Sequence, residues 1–265
     1  MGLLRRGIEP TIGRLLDSAK VVVIEGGRSV GKTTLARRIA TERAFETVFD
    51  LSDPADLAAL EADAFRVLDA SPGPVLIDEA QLIPDLTVAV KRLVDQSGRF
   101  GQVLLTGSSR IGRGALGGGD PLAGRAVRAR LTSFTRSELA GTPSSTLADW
   151  WTGDPTLEPR EAIDLLDLTE ALVAGGLPPI ALNPAAGTAL RGALIEAYVE
   201  GVLTMNLAGS RVDRSRLAQT FRYLAANPGQ ILNISRAASE LSMSADTFQR
   251  YLELCTTAFL LESVP

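Results

Sequence analysis

The chain has 265 residues, 45% of them hydrophobic and 22% charged, with a net charge of −4 and a pI near 5.1. This is globular composition with room for one large domain or two ordinary ones, and its acidic balance excludes wholesale coating of nucleic acid while leaving space for a local basic patch. It contains no histidine, which excludes imidazole general bases, His-ligated zinc and Ser-His-Asp catalysis, so any chemistry must run on carboxylates, Lys, Arg, hydroxyls and a metal.

Residues Met1 to Arg6 lack an apolar leader core, and no apolar run reaches the ~18 to 20 residues of a membrane span. A cytoplasmic protein with no membrane partner is expected. Lysine occurs only at Lys20, Lys32 and Lys91, which reads as compositional bias toward arginine. The single cysteine, Cys255, excludes an internal disulfide and lies in the apolar stretch from Leu252 to Leu261, as a buried inert thiol would.

The first predicted strand is the β-branched run Val21 to Glu25. Gly26-Gly27-Arg28-Ser29-Val30-Gly31-Lys32-Thr33 follows and fits G-x-x-x-x-G-K-[ST] at every fixed position, with helical periodicity from Thr33 to Arg43 behind it. Glycines at 26, 27 and 31 let successive N–H groups curl toward phosphate oxygens beside the positive end of the helix. Lys32 would reach the β- and γ-phosphates, and the Thr33 hydroxyl would meet Mg²⁺. A strand at Thr47 to Leu51 and a helix from Pro54 to Leu68, with a break inside it, come next. The apolar run Pro74 to Asp78 ends in Asp78-Glu79. Asp78 suits the magnesium shell, and Glu79 would orient and activate an attacking water.

A helix at Leu86 to Gln96 leads to a strand at Gln102 to Thr106, after which Ser108 could sense the γ-phosphate or the lytic water. Five arginines, Arg110, Arg113, Arg125, Arg128 and Arg130, flank a glycine-rich piece from Gly112 to Gly124. Arg125 is the first candidate for stabilising charge on the transferring phosphate, against solvated loop arginines or a local nucleic-acid patch. A last strand runs from Ala126 to Leu131. The alternation implies a parallel sheet covered on both faces, an α/β P-loop NTPase domain over residues 1–140. Thr47 to Leu51 is expected to separate the phosphate loop from Asp78-Glu79. That arrangement, and the absence of Asn-Lys-x-Asp, favours ATP over GTP.

Residues 141–160 are rich in turn formers and read as a connector, with Trp150 and Trp151 as packing anchors. Beyond it the pattern is helical: Ala162 to Ala174, Thr188 to Leu207 and Arg214 to Ala226 make a helical lid over 161–226. Residues 227–265 read as helix-turn-helix, with Ser235 capping Ser235 to Leu241, a turn at Ser242-Met243-Ser244, and a helix from Ala245 to Leu254. Bound to DNA, that helix would offer Thr247, Gln249 and Arg250. Its few cations favour a winged helix used for packing or regulation.

Taken together, these motifs resemble prokaryotic AAA-type ATPases of the family with a C-terminal DUF4143 region. The matching pieces are Gly26 to Leu35, Phe49-Asp50-Leu51, Leu76 to Gln81, Leu105 to Ser109, Leu122 to Arg125, Ser133 to Leu139, Gly175 to Pro178, Thr247 to Leu252 and Ala258 to Leu261. The resemblance implies an ATP-binding core, a helical lid and a winged helix, with Gly175 to Pro178 similar to the Gly-x-Pro element of signal-transducing ATPases. Pro178 would then approach the adenine, although Pro178-Pro179 also breaks a helix by itself. Pro179 replaces the usual acid, and Met205-Asn206 stands where the family often has Arg-Asp. Such proteins continue into a nuclease-like domain, whereas this chain stops at Val264-Pro265 in an apolar stretch, as a shortened chain would.

The resulting expectation is a magnesium-dependent ATP-binding and ATP-hydrolysing switch with slow turnover, whose cofactor-binding set is Gly26, Gly27, Arg28, Ser29, Val30, Gly31, Lys32, Thr33, Thr34 and Pro178. The alternatives are an ATP-binding DNA regulator with little turnover and an interaction module stabilised by nucleotide. ATP/ADP, a homo-oligomer, and a DNA or protein partner on the C-terminal half are the candidate partners. An AAA-like ring would need an arginine offered across a subunit boundary, and Arg125 could act in its own chain or its neighbour's.

Overall fold

The computed structural model describes residues 4–109, 111, 119–141, 164–183, 187–205 and 213–262. Arg110, Arg113, most of the glycine-rich piece, and Trp150 and Trp151 lie outside them.

The core is a five-stranded, all-parallel sheet of β1 (Val21–Glu25), β2 (Thr47–Asp50), β3 (Val75–Asp78), β4 (Val103–Gly107) and β5 (Ala126–Arg130), in the order β2-β3-β4-β1-β5. All residues of β1, β3 and β4 are buried, as strands covered on both faces require. Alternation splits β1 between two cores. Val21 and Val23 face one side with Leu60, Leu68, Leu86 and Val90, while Val22 and Ile24 face the other with Ile12, Leu16, Leu35 and Ile39.

The first side is closed by α3 (Pro54–Ala70) and α4 (Leu86–Ser97), and the second by α1 (Glu9–Ser18) and α2 (Lys32–Glu42). The expected break in α3 falls at Asp63, whose backbone leaves helical values and whose carboxylate accepts from Arg66 N, capping the continuation. Helix α1 was not expected. It carries Ile12 and Leu16 four residues apart on its buried face.

One expectation about topology is corrected. Thr47–Asp50 does not lie between the phosphate loop and Asp78-Glu79. It is the sheet edge, and the strand between β1 and β3 is β4. Side-chain chemistry explains this: Val103-Leu104-Leu105 is buried throughout, whereas Thr47, Val48 and Asp50 of β2 keep solvent contact that only an edge permits.

After α5 (Arg136–Ala140), the C-terminal half consists of α6 (Leu165–Ala174), α7 (Pro178–Ala181), α8 (Thr188–Met205), α9 (Arg214–Ala226), α10 (Ile234–Glu240) and α11 (Ala245–Thr257). Leu217, Tyr251 and Cys255 form one small core, and Ala237, Ala238 and Phe248 another. Burial pushes the Cys255 thiol up to about 11, as an inert thiol requires. Helices α10 and α11 make the helix-turn-helix, with Ser242 in the left-handed region at the turn and Ser244 capping α11. The cap of α10 is Asn233, not Ser235, because Asn233 Oδ1 accepts from Arg236 N at 3.0 Å. No strand follows Arg130 among the described residues, so these show a helix-turn-helix without the strands of a wing.

Candidate nucleotide site

The phosphate loop leaves β1 at Glu25 and enters α2 at Lys32. A Cβ on Gly26 would lie 2.1 Å from Leu131 O, so only glycine lets the loop cross the end of β5. Gly31 has φ +96°, which glycine adopts without strain, while Ser29 is left-handed without that excuse at φ 57°. The loop backbone is held from outside: Arg6, itself buried, donates to Val30 O at 2.9 Å and to Thr132 O at 2.7 Å, and pairs with Glu138.

Lys32 is 4% exposed, and its Nζ donates to Gly27 O at 2.7 Å. Burial lowers its pKa from 10.5 to about 8. Glu79 and Asp78 oppose that shift, and Arg28 adds to it. Arg28 is half-buried, and its Nε is enclosed without a hydrogen-bond partner among the described residues. Two neighbouring cations at the N-terminus of α2 are the groups that can attract an anion here. Thr33 is half-buried in the first turn of α2, and Thr34 is exposed.

Across the sheet, the ends of β3 and β4 present the acids. Thr106 Oγ1 accepts from Glu79 N at 3.0 Å and donates to Asp78 Oδ1, so one buried hydroxyl fixes both acidic positions. Glu79 is left-handed (φ 56°), which turns its side chain out of the strand and toward β4. There Ser108 Oγ donates to Glu79 Oε2 at 3.2 Å, and Gln81 Nε2 donates to the same oxygen. The structure thus brings Lys32, Asp78, Glu79 and Ser108 to one end of the sheet. Thr106 and Gln81 complete the cluster; sequence reasoning left them unassigned, although a threonine closing an apolar strand opposite Asp78 was a readable signal.

Arg125 is not brought there. Strand β5 runs parallel to β1 with Ala126 opposite Val21 and Arg130 opposite Glu25, so Arg125 precedes the strand at the far end. At about 3.3 Å per residue it is about 16 Å along the strand from Arg130. Its guanidinium makes a bidentate pair with Asp95, at 2.6 and 2.9 Å, which holds the Asp95 carboxyl below its usual range. This removes Arg125 from its own chain's site. Arg128 is engaged by Glu25, Asp120 and Ile111 O. Arg130 is the arginine of β5 that reaches the loop's rim, paired with Glu262 and lying 5.5 Å from the Phe259 ring centroid.

Beside the loop, a cavity of about 460 Å³ opens between the sheet and the C-terminal half, lined by Gly27, Arg130, Thr132, Gly176, Tyr198 and Phe259 among others. Two hydrogen bonds join the halves around it, besides the Arg130–Glu262 pair. Tyr198 on α8 donates to Arg28 O at 2.9 Å, with burial raising its phenol pKa, and Phe134 N donates to Gly176 O at 2.7 Å. A Cβ at Gly176 would lie 1.9 Å from Phe134 O. Pro178 starts α7 as its first residue. Its neighbours Leu177 and Ile180 line the cavity, and Pro178 itself does not.

Fold and site together are a parallel α/β sheet with a phosphate loop behind its first strand and two acids at the end of its third, and comparisons with known proteins agree with that layout. Residues 18–140 match the family model described as an AAA domain, and residues 165–265 match a domain of unknown function, DUF8612. The second match corrects the expected DUF4143 region. The C-terminal residues that suggested it, Gly175 to Pro178, Thr247 to Leu252 and Ala258 to Leu261, are one helix and two short turns, patterns that unrelated helical domains share.

Among curated proteins, the chain is 29% identical over 262 residues to Rv2008c of Mycobacterium tuberculosis and to Mb2031c of Mycobacterium bovis. The match takes in 98% of this chain and 53% of theirs, so the chain spans about half the length of these relatives. Among solved structures, the Walker-type ATPase PABY2304 of Pyrococcus abyssi aligns over 97% of this chain and 90% of its own, at 14% identity and a TM-score of 0.60. AMPPCP-bound DnaA from Aquifex aeolicus aligns over 95% and 88%, at 12% identity and a TM-score of 0.44. No helix among the described residues is long and apolar enough to cross a membrane.

Proposed function

We propose that the protein binds and slowly hydrolyses ATP with magnesium, and that nucleotide acts as a switch on the C-terminal half. The convergence of Lys32, Asp78, Glu79 and Ser108 at one end of the sheet carries this reading. Amides of Gly26 to Thr33, with Lys32 and Arg28, would hold the phosphates, and the cavity beside Gly27 would take the base. The described residues contain no cluster of three metal-binding acids or thiols. Magnesium takes few protein groups and keeps substrate phosphates as ligands, and Thr33 and Asp78 would be the groups that hold it here. Glu79 would then accept the proton of the attacking water.

Contacts around the loop support the switch: Tyr198 ties α8 to Arg28 O, in the backbone that a phosphate would grip, while Gly176 holds the C-terminal half to Phe134 and Glu262 holds it to Arg130 of β5. Lys32→Ala should abolish nucleotide binding. Glu79→Gln should keep binding and lose turnover, and equal turnover in wild type and Glu79→Gln would sink the assigned base.

The helix-turn-helix supports a second reading, a DNA-binding regulator with ATP as effector, since Gln249 and Arg250 are exposed on α11. A salt-dependent DNA shift that is lost with Arg250→Ala and kept with Lys32→Ala would favour it.

A further inference from the structure

The 3₁₀ turn Ala80–Leu82 swings Gln81 back across the end of β4. Its amide makes three hydrogen bonds there: Ser108 N donates to Oε1 at 3.3 Å, and Nε2 donates to Ser108 Oγ at 3.1 Å and to Glu79 Oε2. A backbone N–H can only donate and a carboxylate only accept, so these partners fix the amide's orientation. Gly107 keeps the space open, because a Cβ there would come within 3.1 Å of Gln81 Oε1 and 2.6 Å of Ile111.

Counting protons gives the amide a task. The hydroxyl of Ser108 has one proton, and it is directed to Glu79 Oε2 at 3.2 Å. If Ser108 turns that proton toward a phosphate, Glu79 loses one of its two donors. The Gln81 amide carries two N–H groups and still holds the same oxygen. Oε1 of Glu79 accepts no hydrogen bond from the described residues, so it is the oxygen left for a water.

We propose that Gln81 is a positioning residue that pins Glu79 through Oε2, so that Oε1 stays aimed at the attacking water whichever way the Ser108 hydroxyl points. This rests on the reading of Glu79 as the base. Displacing that carboxylate by an ångström should cost turnover about 100-fold, with binding spared.

The test compares wild type, Glu79→Gln, Gln81→Leu, Gln81→Glu and the double Glu79→Gln/Gln81→Leu. Single-turnover ATP hydrolysis, MgADP affinity by calorimetry and melting temperature are measured for each. Gln81→Glu keeps the side chain's size if the Leu variant fails to fold. Both Gln81 variants should lose at least tenfold in rate, with MgADP affinity within twofold of wild type. Adding Gln81→Leu to Glu79→Gln should change the residual rate less than twofold, because the group it positions is already gone. A wild-type rate in Gln81→Leu, or an equal loss in both backgrounds, would overturn the proposal. Full activity in Glu79→Gln would instead refute the base assignment.

Discussion

Lys32 gives the site a pH signature that can be worked out in advance. Its ammonium has a folded pKa near 8, against 10.5 in solvent, chiefly because burial strips its water. A phosphate seated in the loop replaces that water with negative charge and returns the pKa to at least its solvent value. The sign follows: binding favours the protonated lysine, so affinity is complete well below pH 8 and declines as pH rises through 8. About three-quarters of the free protein carries the proton at pH 7.5 and about one-tenth at pH 9, so MgADP affinity should fall about eightfold between them. Phosphate is already ionised over this range and adds no slope of its own. Calorimetry in two buffers of different ionisation enthalpy should show uptake of about 0.9 proton per nucleotide at pH 9 and about 0.2 at pH 7.5. Lys32→Arg should lose the slope, because a guanidinium stays charged throughout. Flat wild-type affinity, or proton release on binding, would refute the argument.

The same lysine should be a liability to the unliganded fold. Lys32→Met should stabilise it at pH 7 by up to about 3 kcal/mol, a cost that is fully present below the folded pKa and fades as pH rises toward 10.5; melting curves at pH 7 and pH 10 test this. Gly26→Ala should displace the loop from β5, since its Cβ lies 2.1 Å from Leu131 O. Loss of MgADP binding is expected, and normal affinity would contradict the crossing. Arg125→Ala should leave turnover within twofold in dilute protein, because its partner is Asp95 at the far end of the sheet. A tenfold loss that grows with protein concentration would place Arg125 in a neighbouring chain's site. Tyr198→Phe removes the phenol's bond to Arg28 O, and melting should show about 1 kcal/mol of lost stability.

How much of this was legible beforehand depended on whether the signal was local. Strands β1, β3 and β4 announce themselves as short apolar runs, and the phosphate loop, Asp78-Glu79 and Ser108 stand at their ends, where parallel topology gathers functional groups. Which end of a strand a residue occupies was harder. Arg125 precedes and Arg130 ends the same five-residue strand, and only the β1–β5 register shows that the second, not the first, meets the loop. Strand order is likewise a tertiary outcome, so β2 was given the place that β4 occupies. Helix α1 escaped notice because Pro10 and Gly13 interrupt a ten-residue pattern, although Ile12 and Leu16 are buried. Gln81 was quoted as part of a motif without a task, since its meaning lies in bonds to β4, 27 residues away.

The charges of the site also explain how phosphate binding could reach the C-terminal half. Asp78 and Glu79 support the Lys32 charge in the structure, yet the proposed chemistry gives one to a metal and the other to a water. A bound phosphate would take over their part in stabilising Lys32 and, by drawing the ammonium toward itself, would weaken the bond that Nζ now makes to Gly27 O at 2.7 Å. Gly27 and Arg28 are the loop residues that Tyr198 and the cavity wall touch. Releasing one backbone carbonyl of this pair while the next remains bonded to α8 would shift a helix of the C-terminal half by way of a single peptide unit. Under the proposed switch the lysine would be both the phosphate ligand and the catch on the loop segment that Tyr198 holds, so a cation that merely fills the charge, as in Lys32→Arg, should bind nucleotide without reproducing the coupling.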